Sequence, residues 1–171
     1  MPTVEVTITY LEMEHPALFR PAEAAPGEVT LERLDPDDAE VAERFYADVG
    51  NEYYWIDRAE WRTDRWRDEL ETPGTEFWIL SQDEEEAGFF LLAEPEPRTC
   101  EILYLGLLPG FEGRGLGGHL LSCAIERAWA TGADRVLVNT CTLDHPAALP
   151  NYLARGFEIV RKRTELRVLP E

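Results

Sequence analysis

Residues Glu101 to Gly118 read EILYLGLLPGFEGRGLGG. An apolar run ends in a Pro-Gly turn, and glycines then stand at positions 113, 115, 117 and 118. Cys100 to Leu108 has the composition of a buried strand, and Gly118 to Trp129 repeats apolar residues at helical spacing through Leu120, Leu121, Ala124, Ile125, Ala128 and Trp129. A strand, a glycine loop and a helix start are the parts of a phosphate site. The first-turn amides of a helix have no intrahelical acceptor and the helix dipole places positive charge there, so an anion on the axis is stabilised. Gly113, Gly115, Gly117 and Gly118 allow positive φ and close approach to the main chain. Arg114 adds a planar cation suited to phosphate oxygens.

Of two common phosphate loops, the letters exclude one. The Walker loop ends in GK[ST], whereas here Gly117-Gly118 is followed by His119. The dinucleotide fingerprint G-x-G-x-x-G is matched in its letters by Gly113, Gly115 and Gly118, and letters alone do not separate it from other phosphate loops. The plainer reading, a tight turn, does not account for a strand before the glycines and a helix after them.

Glu112-Gly113-Arg114-Gly115-Leu116-Gly117 resembles the Q/R-x-x-G-x-G/A loop of the GNAT superfamily of acyl-CoA N-acyltransferases. Only the first position departs, with Glu112 in place of Gln or Arg, and an acid there must point away from the phosphates. A second segment is similar to the family's N-x-x-A-x-x-x-Y-x-x-x-G-F: after a strand at Arg135 to Thr140 come His145, Ala148, Tyr152, Gly156 and Phe157 at those spacings. The resemblance implies an α/β fold with a mixed central sheet flanked by helices, and acetyl-CoA as co-substrate without a metal. It implies that the strand end Leu107-Leu108, the loop Glu112 to Gly118 and His145, in the family's Asn position, bind the cofactor. It makes Tyr152 the general acid that protonates the departing thiolate, a role open to a phenol of pKa ~10. The alternative for Tyr152 is an aromatic that packs its helix on the sheet. Asp144 is expected to cap a helix whose first residue is Pro146, which leaves Pro150 a turn inside it.

Attack by an amine requires a base. A glutamate at the position of Glu101 serves as base in histone-acetylating relatives, and Glu101 or a water it orders takes that role by resemblance. His119 and His145 are the other candidates by pKa. In the family the first two helices and their connection shape the acceptor pocket, so Tyr54 and Trp55 are candidate substrate contacts. Trp55, Ala59, Trp66 and Leu70 also fall near one helical face, the pattern of a core stripe, while Arg58, Arg62, Arg65 and Arg67 alternate with acids, as an ion-paired surface or with one of them gripping a substrate carboxylate. The implied reaction is direct acetyl transfer to a small-molecule amine or an amino terminus, with backbone amides near Leu107 polarising the carbonyl. The second class open at this point is an acyl-CoA-binding sensor or partner module that does not turn over.

Composition narrows the field. The 171 residues suffice for one enzyme domain. With 34 acidic against 16 basic residues the formal net charge is −18, which repels nucleic acid. That charge draws in a cationic amine or is general surface solvation. The acids are spread along the chain apart from Asp83-Glu84-Glu85-Glu86, which favours solvation. No apolar run approaches the ~20 residues of a membrane span. The start lacks the order of a signal peptide, and a cytoplasmic protein is expected. Cys100, Cys123 and Cys141 lack metal-type spacing and read as reduced thiols.

Around these motifs the chain divides into an N-terminal extension, 1–28, and the acyltransferase-like domain, 29–171. The extension holds an alternating strand at Val4, Val6, Ile8 and Tyr10, then a Pro- and Ala-rich loop from His15 to Gly27. That strand extends the sheet, covers the core or pairs with a second subunit in a homodimer. The domain begins with a strand from Val29 to Leu34, followed by a helix from Asp35-Pro36-Asp37 to about Asp48 and a second near Asp57 to Glu71. Strands at Phe77 to Leu80 and Gly88 to Ala93 flank the acidic turn, and Phe157 to Val168 ends the sheet.

Overall fold

The alternation near the start produces a long strand, β1 (Thr3–Met13). In the computed structural model, which describes residues 1–170, there follow β2 (Val29–Arg33), α1 (Ala39–Gly50), α2 (Thr63–Glu71), β3 (Glu76–Gln82), β4 (Glu85–Ala93), β5 (Thr99–Leu107), α3 (Leu116–Ala130), β6 (Arg135–Cys141), α4 (Ala148–Arg155) and β7 (Glu158–Val168). The strands form one mixed sheet in the order β2-β3-β4-β5-β6-β1-β7. From β2 to β5 neighbours run antiparallel. β5 and β6 are parallel and joined through α3, the crossover that a parallel pair requires. β1 is antiparallel to both β6 and β7. The opening strand therefore extends the sheet from within it, and Leu11 and Met13 sink into the core at 1% and 0% exposure.

Each sheet face carries its own helices. Leu116, Leu120, Leu121, Ala124 and Ile125 of α3 pack with Tyr152 of α4 on Phe90, Leu92, Ile102, Val136 and Val138. On the opposite face Ala42, Phe45, Tyr46 and Val49 of α1 and Trp66 and Leu70 of α2 cover Phe77, Phe89 and Leu91. β4 serves both faces, which is why Phe89 to Leu92 is an unbroken apolar run rather than an alternation. Among the described residues no helix is long and apolar enough to cross a membrane.

Local chemistry moves several helix starts from their expected places. The Asp35 carboxylate accepts from the Asp37 amide at 2.9 Å and caps a 3₁₀ turn, so α1 begins only at Ala39. After a 3₁₀ turn at Asn51–Tyr53 the chain stays irregular up to Arg62, whereas the sequence predicts the second helix from about Asp57. Tyr54 takes a left-handed φ of 54° there, and the Arg58 amide donates to the Tyr46 hydroxyl. Trp55 and Ala59 consequently do not share a helical face with Trp66 and Leu70. Arg58 is not a surface ion-pair residue either: half-buried, it donates to the Tyr104 hydroxyl at 2.9 Å and to Glu69 at 3.3 Å. Asp144 does not cap α4. Its carboxylate folds back on the end of β6, accepting from the Thr140 hydroxyl and the Cys141 amide, while His145 Nδ1 accepts from Ala147 N–H. α4 thus starts at Ala148, and Pro150 falls in its first turn, where the missing N–H would have had no helical acceptor.

Candidate functional site

β5 and β6 begin side by side and then part. Their register runs from Thr99↔Arg135 to Ile102↔Val138 and continues no further. On its other edge β5 stays paired with β4 as far as Leu107↔Gly88, and β6 stays paired with β1 as far as Cys141↔Ile8. The last part of β5 and the end of β6 therefore turn backbone groups toward a gap without a strand partner there. A bulge at Leu103, where Leu91↔Tyr104 follows Leu92↔Ile102, adds twist at the parting point. The gap opens into a cavity of about 550 Å³, within the range of small-molecule sites.

The glycine loop closes one end. Gly113 and Gly115 have φ of 76° and 75°, a region that strains residues with a side chain. α3 begins directly after Gly115 with no side-chain cap, leaving its first amides available to an anion. Gly113 and Gly117 line the cavity. Their neighbour Gly118 differs in kind. A Cβ on Gly118 would lie 2.8 Å from Ala22 Cβ and 2.9 Å from Arg155 Nη1, whereas one on Gly117 would meet nothing within 4 Å. Packing demands the first glycine and leaves the second unexplained by structure alone. Asn151 Nδ2 donates to the Gly117 carbonyl at 3.2 Å and ties α4 to the loop.

Glu112, the departure from the family's loop pattern, is engaged. Tyr53 donates to its Oε1 at 3.0 Å from the loop after α1, and the Tyr53 ring stands edge-on to His145 at 6.2 Å between centroids. Burial, then the Glu112 partner, push the Tyr53 hydroxyl up to about 12. All three residues line the cavity. Arg114 lies outside the lining, its guanidinium 4.7 Å over the Phe111 ring. Leu116 gives its side chain to the core and Leu108 packs on the α1 side, while Leu107 borders the cavity. His119 is held by the Ala25 amide and does not line the cavity.

Tyr152 borders the cavity from α4 at 7% exposure, edge-on to Phe157. Burial, with the Asp144 charge behind it, pushes the phenol above its usual range. On the α1 face the wall is Trp55, Asp57 and Tyr104. Trp55 packs at 4.9 Å from Tyr104 and 5.6 Å from Tyr46, and the Tyr104 hydroxyl donates to Asp57 at 3.4 Å. Tyr54 points elsewhere, 40% exposed and outside the lining. Glu101 shares the α1 face but also lies outside the lining. Burial raises its carboxyl, partly offset by the Arg58 charge.

Several lining residues escape a motif reading: Asp57, Tyr104, Asn139, Asn151, and Arg163, Glu165 and Arg167 of β7. The β7 group did leave a signal, since charged residues recur at every second position from Arg161 to Arg167 on one strand face.

A sequence profile of the acetyltransferase (GNAT) family matches residues 39–157. Mycothiol acetyltransferase of Thermobispora bispora is 36% identical over 101 residues, 56% of this chain and 29% of that protein. Mycothiol acetyltransferase of Corynebacterium aurimucosum is 37% identical over 79 residues, 44% of this chain and 26% of that protein. The crystal structure of a GCN5-related N-acetyltransferase from Sphaerobacter thermophilus superposes with a TM-score of 0.69 at 15% identity, covering 97% of this chain and 51% of that one. The chain thus spans less than a third of these curated relatives' length and about half of the structural neighbour's. With the family profile covering both the glycine loop and the Tyr152 segment, the chain belongs to the acetyltransferase (GNAT) family.

Proposed function

We propose that this chain moves the acetyl group of acetyl-CoA to a primary amine in one direct step. The carrying observation is the gap between β5 and β6, which passes through the sheet from the uncapped start of α3 on one face to Asp57 and Tyr104 on the other. An elongated donor with phosphates at one end and a thioester at the other suits such a passage. First-turn amides and Gly117 hold the pyrophosphate, and β5 backbone amides near Leu107 polarise the thioester carbonyl. The amine nitrogen gives up a proton to Glu101 through water, attacks the carbonyl carbon, and the C–S bond breaks as Tyr152 protonates the sulfur. Burial keeps the Tyr152 proton in place at working pH, and the same burial raises the proton affinity of the thiolate beside it. The cysteines favour this single step over a thioester on the enzyme. Cys141 borders the cavity, but burial raises its thiol, and burial pushes Cys100 and Cys123 up to about 12 and 11. The activity for which these relatives are named, acetyl transfer, agrees with this reading.

The test is calorimetric titration with acetyl-CoA and CoA, paired with turnover of an amine panel by the wild type and by Tyr152→Phe. Saturable binding in both proteins, with turnover in the variant lower by on the order of 10²–10⁴-fold, is the expected result. Absence of binding by either CoA species would overturn the proposal. Binding without transfer to any amine would favour a sensor.

A further inference from the structure

We infer that the acceptor amine carries a carboxylate, and that Arg163 and Arg167 of β7 hold it. This rests on the acetyl-transfer reading above and names its substrate class.

The β1–β7 register sets Arg163 opposite Ile8, Glu165 opposite Val6 and Arg167 opposite Val4, and cross-strand partners share a sheet face. Leu11 and Met13 point into the α3 core, so strand alternation sends Val6, Ile8 and Tyr10 to the opposite face. The Arg161 guanidinium stacked 4.2 Å over the Tyr10 ring reports the same side. Arg163 and Arg167 therefore stand across the sheet from the phosphate loop. They are not part of the cradle for the donor's phosphates, yet both border the cavity.

Their charge is incompletely answered. Glu165 lies between them, 3.3 Å from Arg163 Nη1 and 2.7 Å from Arg167 Nη2. Two guanidiniums around one carboxylate leave one positive charge, and each guanidinium carries five N–H donors. Arg163 spends one further donor on the Tyr10 hydroxyl at 3.4 Å. The side chains are 53% and 25% exposed, so a ligand reaches both. Asp57 supplies the opposite sign beside the Tyr104 hydroxyl, and its charge also reaches Arg167 as the weakest of that residue's charge partners. A cationic pair on one wall and a carboxylate on another match a molecule with an anionic and an ammonium end. In a chain of net charge −18, bulk charge works against an acidic acceptor, so its recognition depends on a local cation pair. The simplest molecule of this class is an α-amino acid.

The experiment compares the common α-amino acids with their α-carboxamides as acceptors, with N-acetylated product measured by mass spectrometry and acetyl-CoA binding followed calorimetrically. At least one amino acid is expected to exceed its amide by tenfold or more in kcat/KM. Arg163→Gln and Arg167→Gln should each bring that ratio toward one. Amides used as well as acids would overturn the inference, and so would acetyl-CoA binding with transfer to no carboxylated amine. Failure of acetyl-CoA to bind would overturn the acetyl-transfer reading itself, and this inference with it. The wild-type comparison decides even where a variant folds poorly.

Discussion

Gly117→Ala separates a glycine kept for packing from one kept for a ligand. Position 117 is the second residue of α3, its backbone is not left-handed, and an added methyl would meet no atom within 4 Å. Alanine in place of glycine in a helix gains up to about 1 kcal/mol, and about half of that near the first turn is a reasonable figure. At roughly 2–4 °C per kcal/mol for a chain of this size, the melting temperature should rise by about 1–2 °C. The same methyl occupies space that a phosphate oxygen needs in order to approach the amides to about 2.8 Å. Losing one or two charge-assisted hydrogen bonds, about 1.5–3 kcal/mol each, weakens CoA by at least about tenfold. The two observables therefore move in opposite directions. Gly118→Ala forms the control, since its 2.8 Å approach to Ala22 Cβ lowers the melting temperature. Thermal unfolding without ligand and calorimetry with CoA provide the readouts. A Gly117→Ala protein that binds CoA as tightly as the wild type would refute the reasoning, because the open space at Gly117 would then not be the ligand's.

Other outcomes follow from the described contacts. Glu101→Gln should stabilise the chain at neutral pH: a folded pKa raised by burial contributes stability below the unfolded value and loses it as pH rises through the folded one, so the variant's advantage shrinks on acidification. If Glu101 is the base, the same variant loses the rise of kcat/KM with pH, which a pH–rate profile would show. Tyr53→Phe releases Glu112 toward the phosphates and should raise the KM for acetyl-CoA about 3–10-fold in steady-state kinetics with little change in melting temperature; adding Glu112→Gln should restore it. Glu76, 7% exposed, accepts two bonds from Arg127 and one from Trp78, and although burial opposes it these partners hold its carboxyl below the usual carboxylate range. Glu76→Gln should cost about 1–3 kcal/mol near pH 7 in denaturant titrations, with Arg127 34% exposed limiting the loss, and the gap should close as pH falls below the unfolded carboxylate value.

The glycine loop and the Tyr152 segment were legible because each is a contiguous motif whose backbone demands leave marks in the letters. The succession of strand, glycine loop, helix and strand from β5 to β6 followed from the same motifs. The second helix could not be bounded, because the apolar spacing of Trp55 and Ala59 fits a helix, while the Tyr46 hydroxyl and the left-handed turn at Tyr54 hold a loop there. Pro150 looked misplaced only because Asp144 seemed the natural cap, and its capture by Thr140 depends on contact with the end of β6. Asp57, Tyr104 and Arg163 reach the cavity from separate elements, and no local pattern unites them.

The position of β1 also carries a consequence for how the molecule comes together. β6 and β7 are separated in sequence only by α4, yet the strand that holds them apart comes from the opposite end of the chain. During synthesis β1 emerges before its partners and must wait, unpaired, until β6 and then β7 appear. Ring closure over that separation is entropically slow and rewards little until both ladders zip. The wall bearing Arg163 and Arg167 is thus the last part of the cavity to be assembled, after the end formed by the glycine loop.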